Sequence, residues 1–392
     1  MGLDNFSGSK YCLAITTVSF IMIVFNQLIP SIISFHLMTQ LLLTYTQLGL
    51  LFSVFSFAYS AMQIPSGIMS DRFGGEKVLP IALALMGFGT FLFAFSSNFY
   101  NALLFRLISG FGAGMILPTS INMISNRFTG KKLDLAMGVF SSGWSIGQVL
   151  MYLVVPLMLI AMNWRNILQF VAIMTLATMF FASLYKVGPS KKVNNYKNSK
   201  TTYFNLLSKE LVLFTIFHLT YLGTIIGMLS WTPSFLKDQY GVKDILIGMI
   251  IAGMGIMSSI ASISGGYLSK MHSKKIIIYL SSFTTIFSLI LITFAKEFQL
   301  VIPVLFLFAF GSQLYTPALF ALVPTLSKRG YANSGLTFGI FNTGGNVGGL
   351  IAPVLMGCLI DMTKSYSFAF LIPLGMSLIG LLSAFIVRKR LE

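Results

Sequence analysis

Two side chains able to hold or pass a charge fall inside the long apolar runs of this sequence: Arg106 and His218. Arginine at the centre of a membrane-spanning helix costs at least about 2.5–3.5 kcal/mol, so it persists there mostly where it has a task. Arg106 could grip a carboxylate through two parallel hydrogen bonds. The plainer alternative is snorkelling, because it lies only ~6 Å below the start of its run. His218 is the mid-span group that titrates near neutrality. It reads either as a proton relay or as a hydrogen-bonded packing residue. The carboxylates Asp4, Asp71, Glu76, Asp134, Glu210, Asp238, Asp244, Glu297, Asp361 and Glu392 all lie outside the runs or at their ends. Proton paths through membranes are built from buried Asp, Glu or His. Facilitated diffusion and exchange therefore stand beside coupling through His218.

Further polar residues occur at helical spacing. Trp144, Gln148 and Tyr152 recur every fourth residue and share one face. Asn342 and Asn346 are one turn apart. A polar face within a span avoids lipid, turning to a cavity or to another helix. The alternative use, an interhelical hydrogen bond, is worth ~0.6 kcal/mol on average. No nucleophile–base pair or metal-ligand cluster stands out within the runs, and no Walker-type loop is present. Cys12 and Cys358 are expected on opposite membrane faces and so cannot pair. These observations exclude an enzyme and imply no metal or cofactor.

The elements that carry these residues follow from composition. The 392 residues are 56% hydrophobic and 9% charged, with mean hydropathy +0.84. Soluble chains carry about 25% charged residues, so the bilayer is the solvent. A spanning helix needs ~20 apolar residues. Spans are expected near 11–34, 45–69, 78–97, 102–124, 135–159, 165–186, 210–231, 245–268, 276–295, 300–324, 335–360 and 368–387. The first run is too long for a signal-peptide core and lacks a cleavage site, so the N-terminus is expected to stay attached. The net charge of +16 suggests nucleic acid until it is placed. Most Lys and Arg fall on the side of the N-terminus; Arg165, Lys237, Lys243, Lys296 and Lys364 lie opposite. That asymmetry is the positive-inside rule. It puts both termini in the cytoplasm, and no solvated domain remains to bind nucleic acid.

The polar, basic stretch 187–209 reads as a cytoplasmic linker between residues 1–186 and 210–392, each long enough for six spans. The two halves repeat each other. Gly67 to Gly266 is the same separation as Gly49 to Gly248. The pairs Gly138/Gly339, Phe140/Phe341, Gly143/Gly344 and Gly147/Gly348 share a second, slightly longer one. Such a half-length repeat is the mark of a transporter built from two bundles.

The segment Gly67-Ile68-Met69-Ser70-Asp71-Arg72-Phe73-Gly74-Gly75-Glu76-Lys77 resembles the cytoplasmic loop signature of the major facilitator superfamily. Arg106 with the spaced glycines Gly110, Gly112 and Gly114 resembles that family's fourth-helix motif, and Trp164-Arg165 its Trp-Arg pair. The resemblance covers essentially the whole chain. It implies an all-α integral membrane protein with twelve transmembrane helices in two pseudo-symmetric six-helix bundles, working by alternating access. It implies a cytoplasmic latch formed by Gly67, Asp71, Arg72 and Gly75. Asp71 would face the start of the eleventh span or a nearby arginine such as Arg127. The second copy, Gly266 to Lys275, replaces Asp71 by Lys270, so the latch is one-sided. Spans one, four, seven and ten line the cavity in this family. That makes Asn26, Gln27, Arg106, His218, Tyr221, Gln313 and Tyr315 substrate candidates beside Trp144, Gln148, Asn342 and Asn346.

Within the family, Gln47-Leu48-Gly49, Tyr59, Gln63-Ile64-Pro65 and Gly67, Arg106 with Pro118, and the run Asn342 to Pro353 followed by Gly357, Asp361 and Ser365-Tyr366 are similar to the anion:cation symporter branch. That branch carries a glutamate where this chain has Ala113, and an acidic residue in its first span, where this chain has none. Both departures weaken the case for proton coupling. The expectation is a monomeric plasma-membrane transporter of a small organic solute, first of all an organic anion. H⁺ or another ion stands as a possible co-substrate. Efflux of lipophilic compounds is one alternative, although Gly143–Gly147 lacks the Gly-Pro pair of drug antiporters. A non-transporting receptor of the same fold is another.

Overall fold

A computed structural model describes residues 2–129, 131–184, 209–271, 273–295, 297–322 and 334–386. The stretch 187–209, read above as a linker, lies outside the described residues except for Lys209. In chain order the helices are α1 (Gly2–Ile32), α2 (Ser34–Leu41), α3 (Tyr45–Phe73), α4 (Gly75–Ala94), α5 (Phe99–Ser125), α6 (Lys131–Ala161) and α7 (Trp164–Leu184). They continue as α8 (Lys209–Tyr240), α9 (Asp244–Met271), α10 (Lys274–Phe294), α11 (Phe298–Leu314), α12 (Thr316–Leu322), α13 (Ser334–Thr363), α14 (Tyr366–Ala369) and α15 (Leu371–Ile386). Twelve of the resulting segments are long and apolar enough to cross a membrane, and each falls on one of the expected runs. Helices satisfy every backbone group within the segment, which is why hydrocarbon admits them.

Two details differ from the sequence expectation. The seventh span runs on to Tyr240 instead of stopping near Trp231, because Phe235 and Leu236 are buried and keep its last turns docked. The tenth span is broken between α11 and α12, just before Pro317. Proline has no N–H to give the carbonyl four residues before it, that of Gln313, and its ring crowds that carbonyl.

The chain forms two compact units. One comprises residues 1–36 and 54–200; the other comprises 37–53 and 201–392. The first turns of α3 thus group with the C-terminal half.

Within the N-terminal unit, α4 packs on α5 and α7, and α1 packs on α6. Glycine permits the close approaches. A methyl added at Gly112 would collide with the backbone of Met86 on α4, and one at Gly110 would lie 2.7 Å from the Phe55 carbonyl on α3. The core between these helices holds Phe55, Leu79, Leu83, Met86, Met115 and Ile116.

The C-terminal unit repeats these contacts. Its α13 packs on α8 as α6 does on α1, with Gly348 set against Leu219 where Gly147 is set against Ile21 and Val24. A methyl at Gly67 would lie 3.9 Å from Pro118 Cβ, and one at Gly266 would lie 3.8 Å from Pro317 Cβ. The sequence repeat is therefore also a repeat of packing.

Overpacking a tight core costs about 1–3 kcal/mol. Gly112→Leu should lower the melting temperature of the purified protein. Gly138→Ala, where an added methyl meets nothing within 4 Å, should leave it unchanged. Indistinguishable melting curves for G112L and the wild type would contradict this packing.

Candidate functional site

In the N-terminal unit the site is built around Arg106 on α5. Its side chain is buried, so the snorkelling geometry is not adopted. The guanidinium turns to α1, where Nη1 donates to the Asn26 carbonyl at 2.6 Å and Nη2 to the Gln27 carbonyl at 3.4 Å. It also lies 4.3 Å from the ring centre of Phe55 and 5.9 Å from that of Phe93. Aromatic faces attract such a cation, more strongly where water is excluded.

A neutral hydrogen-bond network continues from there. The Asn26 amide donates to the Met22 carbonyl at 2.7 Å and to Thr175 Oγ1 at 3.3 Å. Its oxygen accepts from Thr90 Oγ1, which lies 3.2 Å from Ser109 Oγ. Four helices (α1, α4, α5 and α7) thus meet around Asn26. Gln27 is half-buried. On α6, Gln148 and Tyr152 are buried and Tyr152 shares a 2.9 Å hydrogen bond with Ser31. Trp144 is half-buried, 6.1 Å from Phe20 between ring centres.

In the C-terminal unit the corresponding surfaces are aromatic. His218 is buried and stacks on Phe341 at 4.3 Å, with the rings 12° from parallel. Its Nδ1 lies 3.5 Å from the Tyr315 hydroxyl. Tyr221 is buried, stacked on Phe217 at 4.5 Å and edge-on to Tyr315 at 5.1 Å. Gly345 leaves room for the His218 ring, since a methyl there would collide with it. Gln313 is half-buried and accepts from Thr316 Oγ1 at 2.9 Å. Asn342 and Asn346 are both half-buried and linked, Asn346 Nδ2 donating to the Asn342 carbonyl at 2.9 Å.

A second polar constellation in the same unit holds the start of α3. The first N–H groups of a helix lack partners within it. Asp361 of α13 accepts from Tyr45 N at 3.1 Å, from Thr46 N at 2.7 Å and from Thr46 Oγ1 at 2.5 Å. Thr44 and Gln47 close a capping box, Gln47 N donating to Thr44 Oγ1 at 3.2 Å and Thr44 N to Gln47 Oε1 at 3.0 Å. Asp238 on α8 accepts from the hydroxyls of Tyr45 at 3.0 Å and Tyr366 at 2.6 Å. Trp231 Nε1 donates to the Pro353 carbonyl at 3.0 Å.

The expected latch residues lie at the junction of α3 and α4. Gly74 there has φ 89°, a left-handed conformation that glycine adopts without strain. The side chain of Met123 fills the place of a methyl on Gly75. Gly67 faces Pro118. Asp71 accepts from Asn122 Nδ2 at 2.6 Å. Arg127 comes within 4.0 Å of Glu76 instead, because it lies past the C-cap of α5 and opposite the first turn of α4. Arg72 is exposed, 5.4 Å from the ring centre of Phe73. The start of the eleventh span, the other expected partner of Asp71, is the start of α13 and belongs to the other unit. Arg165 caps α4, donating to the carbonyls of Ala94 at 2.7 Å and Ser96 at 2.9 Å.

The structure thus gathers Arg106, Asn26 and Gln27 in one unit and His218, Tyr221 and Tyr315 in the other. Thr90, Thr175, Phe341 and Asp238 had not been expected as site residues; Asp361 had been noted as part of the branch resemblance, without its part in holding α3. Thr90 and Thr175 carry no signal in the sequence beyond being polar within a span. The Thr44–Gln47 spacing is a helix-start signal that could have marked this end of α3 and was not used.

A model of the Major Facilitator Superfamily matches residues 14–337. The chain is 26% identical over 372 residues to the hexuronate transporter of Bacillus subtilis (strain 168), covering 88% of this chain and 86% of that protein. It is 26% identical over 375 residues to a probable sulfoacetate transporter of Cupriavidus necator, covering 89% and 86%. A probable galactarate/D-glucarate transporter of Escherichia coli (strain K12) is 22% identical over 373 residues, covering 84% and 83%. Among solved structures, a bacterial homologue of the human lysosomal transporter Spinster aligns with TM-score 0.77 at 15% identity, over 96% of each chain.

Asp361→Ala leaves the first N–H groups of α3 without their acceptor, a loss of about 1–3 kcal/mol. The melting temperature should fall, and Asp361→Asn, which retains an acceptor oxygen, should fall less. Equal stability of D361A and wild type would show that Asp361 does not hold α3.

Proposed function

Because this chain belongs to the Major Facilitator Superfamily, we propose that it carries a small organic anion bearing a carboxylate across the plasma membrane. It is a multi-pass membrane transporter and not an enzyme, and its fold is the one that works by alternating access. The observation that carries the anion reading is the buried Arg106, whose charge faces carbonyl oxygens and aromatic rings within its unit. These carbonyls and rings bring no countercharge of their own. A carboxylate supplies the opposing charge and fits the guanidinium fork. The names of the relatives point the same way: hexuronate, sulfoacetate and galactarate or D-glucarate are all organic anions.

Asn26 sits behind Arg106, while Gln27, Trp144 and Gln148 offer neutral hydrogen-bonding or stacking surface in the same unit. His218, Tyr221, Gln313, Tyr315, Asn342 and Asn346 supply an aromatic and amide surface in the other. Such groups suit the hydroxyls and carbon skeleton of a sugar acid. Asp71, with Arg72, Gly67, Gly75 and Arg127, serves the cytoplasmic latch. The Lys/Arg asymmetry supports cytoplasmic termini, and the chain acts as a monomer. His218 is the group through which a co-transported proton would pass.

Uptake of radiolabelled carboxylates into proteoliposomes tests this. Arg106→Ala should reduce carboxylate uptake at least tenfold, as expected for loss of a charge-assisted bidentate pair. Unchanged uptake by R106A would sink the anion reading. If transport is coupled to H⁺, a pH gradient should accelerate the wild type and leave His218→Ala unaffected. Equal acceleration of both would exclude His218 as the relay.

A further inference from the structure

We propose that Pro30 is a positioning residue for Arg106: by lacking an N–H it frees the backbone carbonyl of Asn26, and that carbonyl aims the guanidinium. Pro30 lies inside α1. In an α-helix the carbonyl of residue 26 would accept from the N–H of residue 30. Proline has no N–H, and its ring also crowds the carbonyl four residues before it. The Asn26 oxygen is therefore left without its intrahelical donor. Hydrocarbon offers no water to replace that donor, so the group needs a partner from a neighbouring helix. Arg106 Nη1 is that partner, at 2.6 Å. The next carbonyl, Gln27, receives Nη2 at 3.4 Å. Consecutive carbonyls of α1 thus hold the guanidinium while Phe55 lies against its face.

Each side of this arrangement answers the other's need. The carbonyl requires a donor and the buried cation requires acceptors. A carboxylate in place of the carbonyl would cancel the positive charge that an anionic substrate is expected to use. A proline-freed carbonyl orients the arginine without adding a countercharge of its own. The kink alone would be a structural role; the aligned Nη1 contact makes the role specific to Arg106.

The inference rests on the reading of Arg106 as the anion-binding group, and a double-mutant cycle separates the two. Uptake of a labelled carboxylate into proteoliposomes is measured for wild type, Pro30→Ala, Arg106→Ala and the double variant. Pro156→Ala in α6 serves as a control for loss of a helix proline in the same unit. P30A should raise KM about tenfold with kcat changed less than twofold, corresponding to one charge-assisted hydrogen bond. In the R106A background it should change the initial rate less than twofold, because residues acting through one contact are non-additive. P156A should not show this pattern. Pro30→Gly also restores the N–H while keeping the helix pliable, and replaces P30A if that variant is not recovered folded. If R106A impairs uptake but restoring the N–H leaves KM unchanged, the inference is overturned and the anion reading stands. An effect of P30A that persists in full in R106A likewise overturns it. If R106A transports normally, the anion reading fails and the inference with it.

Discussion

A polar group in hydrocarbon has no water to fall back on, and the described structure is arranged around that constraint. Arg106 and the Asn26 carbonyl answer each other across two helices. Arg165 meets the carbonyls at the end of α4, where a cation also suits the helix dipole. Asp361 meets the N–H groups at the start of α3, where an anion does. In each case a charged side chain completes a helix at a point where its own ladder stops, whether at an end or at a proline. Gly357, where a methyl would collide with the Tyr45 carbonyl, lets α13 come close enough to α3 for Asp361 to reach it.

The two units use the same packing for different chemistry. The contacts of Gly147 and Gly348, and the Gly67–Pro118 and Gly266–Pro317 pairs, show one scaffold used twice. On that scaffold the N-terminal unit places a buried cation backed by an Asn–Thr–Ser network, whereas the C-terminal unit places stacked His, Tyr and Phe rings. The divergence matches the sequence, in which Asp71 of the first loop is replaced by Lys270 in the second.

Much of this architecture was legible beforehand. Twelve apolar runs and the internal repeat mark the helices and their repeated packing, because hydrophobicity acts residue by residue. The importance of Arg106 was legible for the same reason: an arginine among apolar residues stands out. Its partners were not. Asn26 suggested itself through its side chain, whereas Arg106 engages its backbone carbonyl, and a carbonyl has no letter in a sequence. The clue was Pro30, four residues on, which only acquires meaning once α1 and α5 are known to be neighbours. Thr90 and Thr175 were passed over because their role depends on which face of α4 and α7 meets Asn26. Asp361 was read as a span-end charge and as part of the branch resemblance, but nothing local to it points to Tyr45 and Thr46, more than three hundred residues earlier.

The central claim is that a buried positive charge selects the substrate. The most direct measurement is equilibrium binding to the purified protein by titration calorimetry, comparing a hexuronate with the neutral hexose of the same ring. The account predicts saturable binding of the hexuronate and binding of the hexose weaker by at least tenfold, the value of one charge-assisted contact. Equal affinity for the two, or preference for the neutral sugar, would contradict it.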